Sequence, residues 1–422
     1  MKLPLTREIR TLKNGLKVIL IRKEGFSKSL FMMGIPAGST NIDDLMDGRI
    51  VHHPKGCAHF LEHQMFRLNG EDVTYPLARS QAKTNACTSY DETCYYVWTN
   101  AGWQKPLGLL IDFVQTLDIT DETVNKEKGI ILSEYSQYDQ DPESRLLKES
   151  FRSMYASHPM RDDILGTPED ISNMSAQDLW DFYKTWYDPA QLVLVGITGY
   201  ELDPIFDFIE KKEESFPTLF ESAATRILPI EPLEVCQKEK SIGMDVDLSY
   251  ACLSIKLPVE HKDIRQLVRD DFMINLWLNG TFGTMNERFQ KWIDTRLIGG
   301  MSGAEADISD DHSYILVYAQ TDDPKLYART MKEELLEKRP LSDQVFESLL
   351  IREKASAIRT ADRYEALAFQ SVEGAFKGYD PLLDLEVLET ITNQDVTDFI
   401  CSLDFSNMSF VEIHPLDEQD PE

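Results

Sequence analysis

Two stretches of this chain share one grammar. "SAQDLWDFYKTWYDPAQLVLVG" (175–196) and "TNQDVTDFICSLDFSNMSFVEI" (392–413) match at an offset of 217 residues, with Gln177, Asp178, Asp181 and Phe182 falling on Gln394, Asp395, Asp398 and Phe399. Each opens on a hydroxyl residue with an Asp three places later. At a helix start both side chains can accept from backbone N–H groups that have no partner within the helix. Each stretch then runs through a helical period into an apolar strand. A unit that closes both halves predicts a tandem duplication. Strands followed by runs of helices, twice over, predict two α+β domains, each a mainly antiparallel sheet flanked by helices. The length of 422 residues agrees, being too great for one ordinary core. Residues 212–240 carry three prolines and no clear period. We place a linker there at 216–238, between an N-terminal domain of residues 1–215 and a C-terminal one of residues 239–422.

Within the first half, "TLKNGLKVILI" reads as two strands around an Asn-Gly turn. "KTNACTSYDETCYYVWTN" alternates and is rich in Thr, Tyr and Val, which predicts a strand pair. Between them, "AGSTNIDDLMDGRIVHHPKG" reads as a long loop. From Trp103 to Trp186 the period is mostly helical, and "QLVLVGITG" closes the half as a buried strand.

Charge narrows the range of functions. With 43 basic and 72 acidic residues the net charge is −29, a field that repels phosphate backbones and anionic lipid. Nucleic-acid and membrane partners are therefore not expected. No apolar run approaches the length of a membrane span, and the first twenty residues lack the apolar core of a secretory signal. Six scattered cysteines do not make a disulfide framework in a chain of this size. They read as buried free thiols, and the chain as cytoplasmic.

The chemistry concentrates in "KGCAHFLEHQMF" (55–66). His59 and His63, four apart on a helix, share a face and can hold one metal ion between them. Glu62 lies beside that face, where it can reach a water on the ion without being a ligand. Apolar Ala58, Phe60 and Leu61 around these groups imply a buried turn, where unpaired imidazoles would be costly. A catalytic zinc needs a third protein ligand. "DETVNKEKGIILSEYSQYDQDPE" offers Glu127 and Glu134 two turns apart, with Ile130 and Ile131 between; spacing alone does not exclude Glu122 or Glu143. Of the other histidines, His52 and His53 read as a solvated loop and His158 as a turn residue. His261, His312 and His414 share no ligand spacing, so the second half reads as metal-free.

The order Gly-Cys-Ala-His-Phe-Leu-Glu-His, then "TNACTSYDETCYY", then "NKEKGIILSEYSQYDQDPESR", resembles the pitrilysin and mitochondrial-processing-peptidase family, whose signature is the inverted H-x-x-E-H zinc motif. "YASHPMRDDILGTPEDI" and "FYKTWYDPAQLVLVGITG" are also similar to it, and short bacterial members of the YmfH type are the nearest likeness. The resemblance implies half of a clamshell-shaped zinc endopeptidase acting on unfolded peptides, with one zinc per chain on His59, His63 and Glu134. It further implies Glu62 as catalytic base, Glu127 as the group that orients the site, and Asn85, Ala86 and Thr88 on a strand edge that binds substrate backbone. Partners implied are a second copy of the chain or a metal-less paralogue. Many members carry an Arg and a Tyr in the second half that contact substrate. Here Arg296 has no tyrosine in matching position and is not assigned.

Overall fold

The Asn14–Gly15 dipeptide turns the chain, with Gly15 at φ 88°, and joins β1 (Thr6–Thr11) to β2 (Lys17–Arg22) in antiparallel register. The computed structural model describes residues 5–219, 222–260 and 262–416; His261 and two residues of the expected linker, 220 and 221, lie outside them. The first half continues with β3 (Ser29–Ile35), a hairpin of β4 (Asp43–Met46) and β5 (Arg49–His52), and helix α1 (Cys57–Gln64). The strand pair β6 (Ala82–Thr88) and β7 (Thr93–Thr99) follows. Then come α2 (Gln104–Val114), α3 (Asp121–Gln140), α4 (Pro142–Met154), α5 (Ala176–Trp186), β8 (Val193–Thr198) and α6 (Asp203–Glu213).

After β9 (Thr225–Ile227) the second half repeats this plan. Its elements are β10 (Glu239–Met244), β11 (Ser249–Lys256), α7 (Ile264–Phe282), β12 (Ser302–Ile308) and β13 (Ser313–Thr321). They are followed by α8 (Pro324–Glu337), α9 (Asp343–Asp362), α10 (Tyr364–Lys377), α11 (Asn393–Ser402) and β14 (Met408–Pro415). The sheets run in the order β1-β2-β8-β3-β7-β6 and β10-β14-β11-β13-β12. In each, the last strand inserts into the sheet, β8 between β2 and β3 and β14 between β10 and β11, parallel to one neighbour and antiparallel to the other. The repeat extends to side chains: Ser175 and Thr392 each form a capping box with the Asp three residues on. The bonds Gln177–Asp181 and Gln394–Asp398 are both 2.8 Å. The chain is thus two tandem α+β domains.

Each half lends a helix to the other. The inner face of the first sheet packs on α1 and α2 through Phe31, Met33, Tyr95, Leu61 and Leu110. Its outer face is covered by α10, from the second half, through Leu367, Ala368 and Val372 on Met32, Val195 and Ile197. Reciprocally, Leu146, Phe151 and Met154 of α4 cover Cys252, Leu316 and Val411 of the second sheet. With both faces covered, all seven residues of β3 are buried, which is why such strands read as unbroken apolar runs. The approach of α10 needs Gly34, where a Cβ would stand 2.3 Å from Cγ1 of Val372.

The expected long loop is partly strand. Asp47 and Gly48, at φ 47° and 74°, close the β4–β5 hairpin, the conformation that an Asp-Gly pair tolerates. The hairpin pairs with β9, which lies inside the expected linker. His53, read as a solvated residue, is instead fully buried against Phe182 with its Nε2 3.4 Å from Asp44. Three cysteines are buried, but Cys87, Cys236 and Cys401 are exposed, contrary to the reading of all six as buried; all six are free. Among the described residues no helix is long and apolar enough to cross a membrane.

Candidate active site

Helix α1 begins at Gly56, whose φ of 77° and close contact with the Leu165 carbonyl leave no room for a side chain. This fixes the direction of an eight-residue helix with Ala58, Phe60 and Leu61 in the core. The two imidazoles emerge together, their ring centroids 4.7 Å apart. Helix α3, started by the Thr120–Thr123 capping box, buries Val124 and Ile131. Glu127 and Glu134 share that side of the helix, at spacings of three and seven residues.

The donors converge. Nε2 of His63 lies 3.4 Å from Oε2 of Glu134, and Nε2 of His59 lies 3.8 Å from its Oε1. The ligand atoms of all three residues lie within 4.8 Å of one another. Ligands about 2.0–2.1 Å from a tetrahedral zinc stand roughly 3.3 Å apart, so this set fits the ion with little movement. Glu122 and Glu143 are exposed and do not join it. The other ring nitrogen of His63, Nδ1, is 2.9 Å from Oε1 of Glu127. That bond sets the tautomer leaving Nε2 free to ligate.

Burial, reinforced by the neighbouring His63, lowers the His59 pKa to about 3, so this imidazole is neutral and ready to ligate. For His63, burial pulls the pKa down, but the Glu127 hydrogen bond and the charges of Glu62 and Glu134 outweigh it and raise it. Burial raises Glu62, against the opposing hydrogen bond from Thr88. That bond, Thr88 Oγ1 to Glu62 Oε2, is 2.6 Å.

A cavity of about 420 Å³ opens beside His59, Glu62 and Glu134, walled by Ala86, Tyr138 and Leu147. All its lining residues come from the first half. Strand β6 forms one rim and is the free edge of the sheet. Thr88, expected as a backbone-binding position, bonds Glu62 through its side chain. Asn85 behaves differently, since its amide donates to the Tyr96 hydroxyl at 3.3 Å and it does not line the cavity. The walls Tyr138 and Leu147 were not foreseen; they are 49% and 42% exposed, and singly exposed apolar side chains carry no sequence signal.

A second convergence, of His158, Asp311 and His312, is also tight enough for a metal ion. Its protons argue otherwise. Both nitrogens of His312 are on carboxylates, Asp311 at 2.6 Å and Asp307 at 3.1 Å. Nδ1 of His158 accepts from the Met160 N–H, so its Nε2 carries hydrogen and offers no lone pair. Arg226 bonds Asp311 and, from the same guanidinium, Asp91 of the first half. This cluster is an ionic tie between the halves.

Comparison with known proteins agrees with the geometry. The family model described as Insulinase (Peptidase family M16) matches residues 17–168, and the one described as Peptidase M16 inactive domain matches residues 173–347. The chain is 29% identical over 394 residues to the uncharacterized zinc protease YmfH of Bacillus subtilis, covering 92% of each. To the zinc protease PqqE of Helicobacter pylori it is 24% identical, over 91% of this chain and 85% of that one. The crystal structure of an M16-like peptidase from Alicyclobacillus acidocaldarius superposes with a TM-score of 0.92 at 27% identity, over 99% of this chain and 100% of that one. Two models of one family match in turn along residues 17–347, and the chain belongs to peptidase family M16.

Proposed function

We propose that this chain is a zinc metalloendopeptidase that hydrolyses unfolded peptides in the cytoplasm, with one zinc per chain on His59, His63 and Glu134. The observation that carries this reading is the convergence of those three donors beside a carboxylate, Glu62, that is not one of them. A zinc ion held there supplies the Lewis acidity that polarises a scissile carbonyl and acidifies a water. Thr88 anchors Oε2 of Glu62, leaving Oε1 to take the proton of the attacking water and pass it to the leaving amine. Glu127 keeps the His63 ring in place. A peptide laid along β6 would use the outward backbone groups of Ala86 and bring its own carbonyl over the cavity. The catalytic unit would be residues 1–215, with residues 239–422 its metal-free homologue.

The test is turnover of a mixed peptide library by the purified chain beside Glu62→Gln, with zinc measured in both. Cleavage by the wild type alone, with metal in both, supports the reading; absence of zinc from both overturns it.

A second reading is favoured by the cavity, which takes no lining residue from the second half. Arg296 does not supply one, being paired with Asp322 at 3.6 Å and 78% exposed. In this reading a second copy or a metal-less paralogue supplies the missing wall. Zinc without cleavage, followed by cleavage once such a partner is added, would establish it.

A further inference from the structure

The edge strand beside the cavity and its neighbour carry a pair of thiols that neither zinc nor hydrolysis uses. Cys87 of β6 and Cys94 of β7 are directly opposed partners in the antiparallel register. Opposed residues share a face and have Cα atoms about 4.5–5.5 Å apart, within the roughly 4.4–6.8 Å range that a disulfide spans. The two differ in access: Cys87 is exposed and Cys94 fully buried. Cys94 packs in the cluster under α10, whereas Cys87 lies between Ala86 and Thr88 on the strand that lines the cavity.

We propose that Cys87 and Cys94 form an oxidative modification site, in which a hydroperoxide converts the two thiols into a cross-strand disulfide. Cys87 is the attacking thiol. Its sulfur takes the distal peroxide oxygen as the O–O bond breaks, giving a sulfenic acid and releasing water from hydrogen peroxide, or the alcohol from an organic hydroperoxide. The sulfur is oxidised by two electrons and the peroxide is reduced by two. Cys94 then attacks the Cys87 sulfur, the S–S bond forms, the S–O bond breaks, and hydroxide leaves with the Cys94 proton as water. The division of labour suits the pair. A hydrogen bond from Cys94 lowers the Cys87 pKa, favouring the thiolate at the exposed position. The same contact, with burial, raises Cys94 and keeps its proton until the second step. The bond would tie β6 to β7 between Ala86 and Thr88, at the rim on which the proposed function rests.

The experiment is titration of the full chain with hydrogen peroxide, read by intact mass and by non-reducing peptide mapping. One bond per chain is expected, lowering the mass by about 2 Da through loss of two hydrogens, mapped to Cys87–Cys94 and reversed by dithiothreitol. In Cys94→Ala the reaction should stop at a Cys87 sulfenic acid that a dimedone probe traps, and Cys87→Ser should abolish both products. Accumulation of Cys87 sulfinic acid in the wild type with Cys94 untouched would overturn the proposal. So would oxidation of the exposed Cys236 or Cys401 before the pair. None of these readouts needs peptide hydrolysis, so failure here is distinct from failure of the peptidase reading.

Discussion

Two edge strands of this molecule, β6 and β12, occupy the same place in duplicated sheets and have been left in opposite states. In the second half, β12 is sealed by helix α7. Asn275 donates its amide to the Ala306 carbonyl and accepts from the Ala306 N–H, both at 3.0 Å. Asp271 accepts from the Ile308 N–H at 3.2 Å. In the first half Ala86 and Thr88 stand at the matching places, two residues apart before the turn. Among the described residues no side chain bonds the backbone of Ala86, and the Thr88 hydroxyl is turned to Glu62. The helices that serve as a source of ligands differ in step. The positions of α3 holding Glu127 and Glu134 are Leu349 and Ser356 in α9, the seventh and fourteenth residues of each helix. A sheet edge with unused backbone groups is a hazard for association. This fold keeps one where the ligands are and closes the other.

That contrast can be broken most sharply at Glu62. Replacing it with Gln should reduce peptide turnover about 10³-fold or more while metal analysis shows zinc retained; turnover at the wild-type rate would move the chemistry away from α1. The next effect is one of pH, at the turn after each edge, where the first half has Glu92 and the second His312. Burial alone would lower the His312 pKa, but its bonds to Asp307 and Asp311 raise it to about 10. Because the folded value exceeds the unfolded one, near 6.5, its stabilisation is complete below that pH and is lost as pH rises through the folded value. Urea unfolding should therefore show stability falling by up to about 3 kcal/mol between pH 7 and 9, and His312→Gln should flatten that slope. Glu127→Gln should weaken zinc binding about 10- to 100-fold in a chelator competition, whereas Leu349→Gln in the second half should leave zinc affinity unchanged. The smallest effect is expected at the seal itself. Asn275→Ala should cost roughly 1–2 kcal/mol in urea unfolding and bring the Ala306 amide to the fast hydrogen exchange expected of Ala86.

How much of this could be read beforehand depended on how local the cause was. The capping boxes at Ser175 and Thr392 are four-residue patterns, and they located the repeat. His59 and His63 needed only the pitch of one helix. For the third ligand, pitch alone left Glu127, Glu134, Glu122 and Glu143 open, because the choice depends on how α3 crosses α1. Of the two isoleucines between Glu127 and Glu134, Ile131 is buried and Ile130 is 51% exposed, so only one marks the packed side of the helix. What was lost was non-local. The β4–β5 hairpin is supported by β9, about 180 residues later, and His53 is buried because α5 brings Phe182 over it. The seal on β12 joins residues 31 apart in sequence whose types, Asn and Ala, carry no distinctive signal.

The traded helices also set an order of events during synthesis. Strand β8, ending at Thr198, completes the first sheet, but α10, which covers its outer face, begins at Tyr364. At the usual 5–20 residues per second, the ribosome takes on the order of 10–30 s to make the intervening chain. Throughout that interval Met32, Val195 and Ile197 have no cover of their own. The first domain therefore leaves an apolar sheet face open while it is being made, and that face is covered only once α10 has been synthesised.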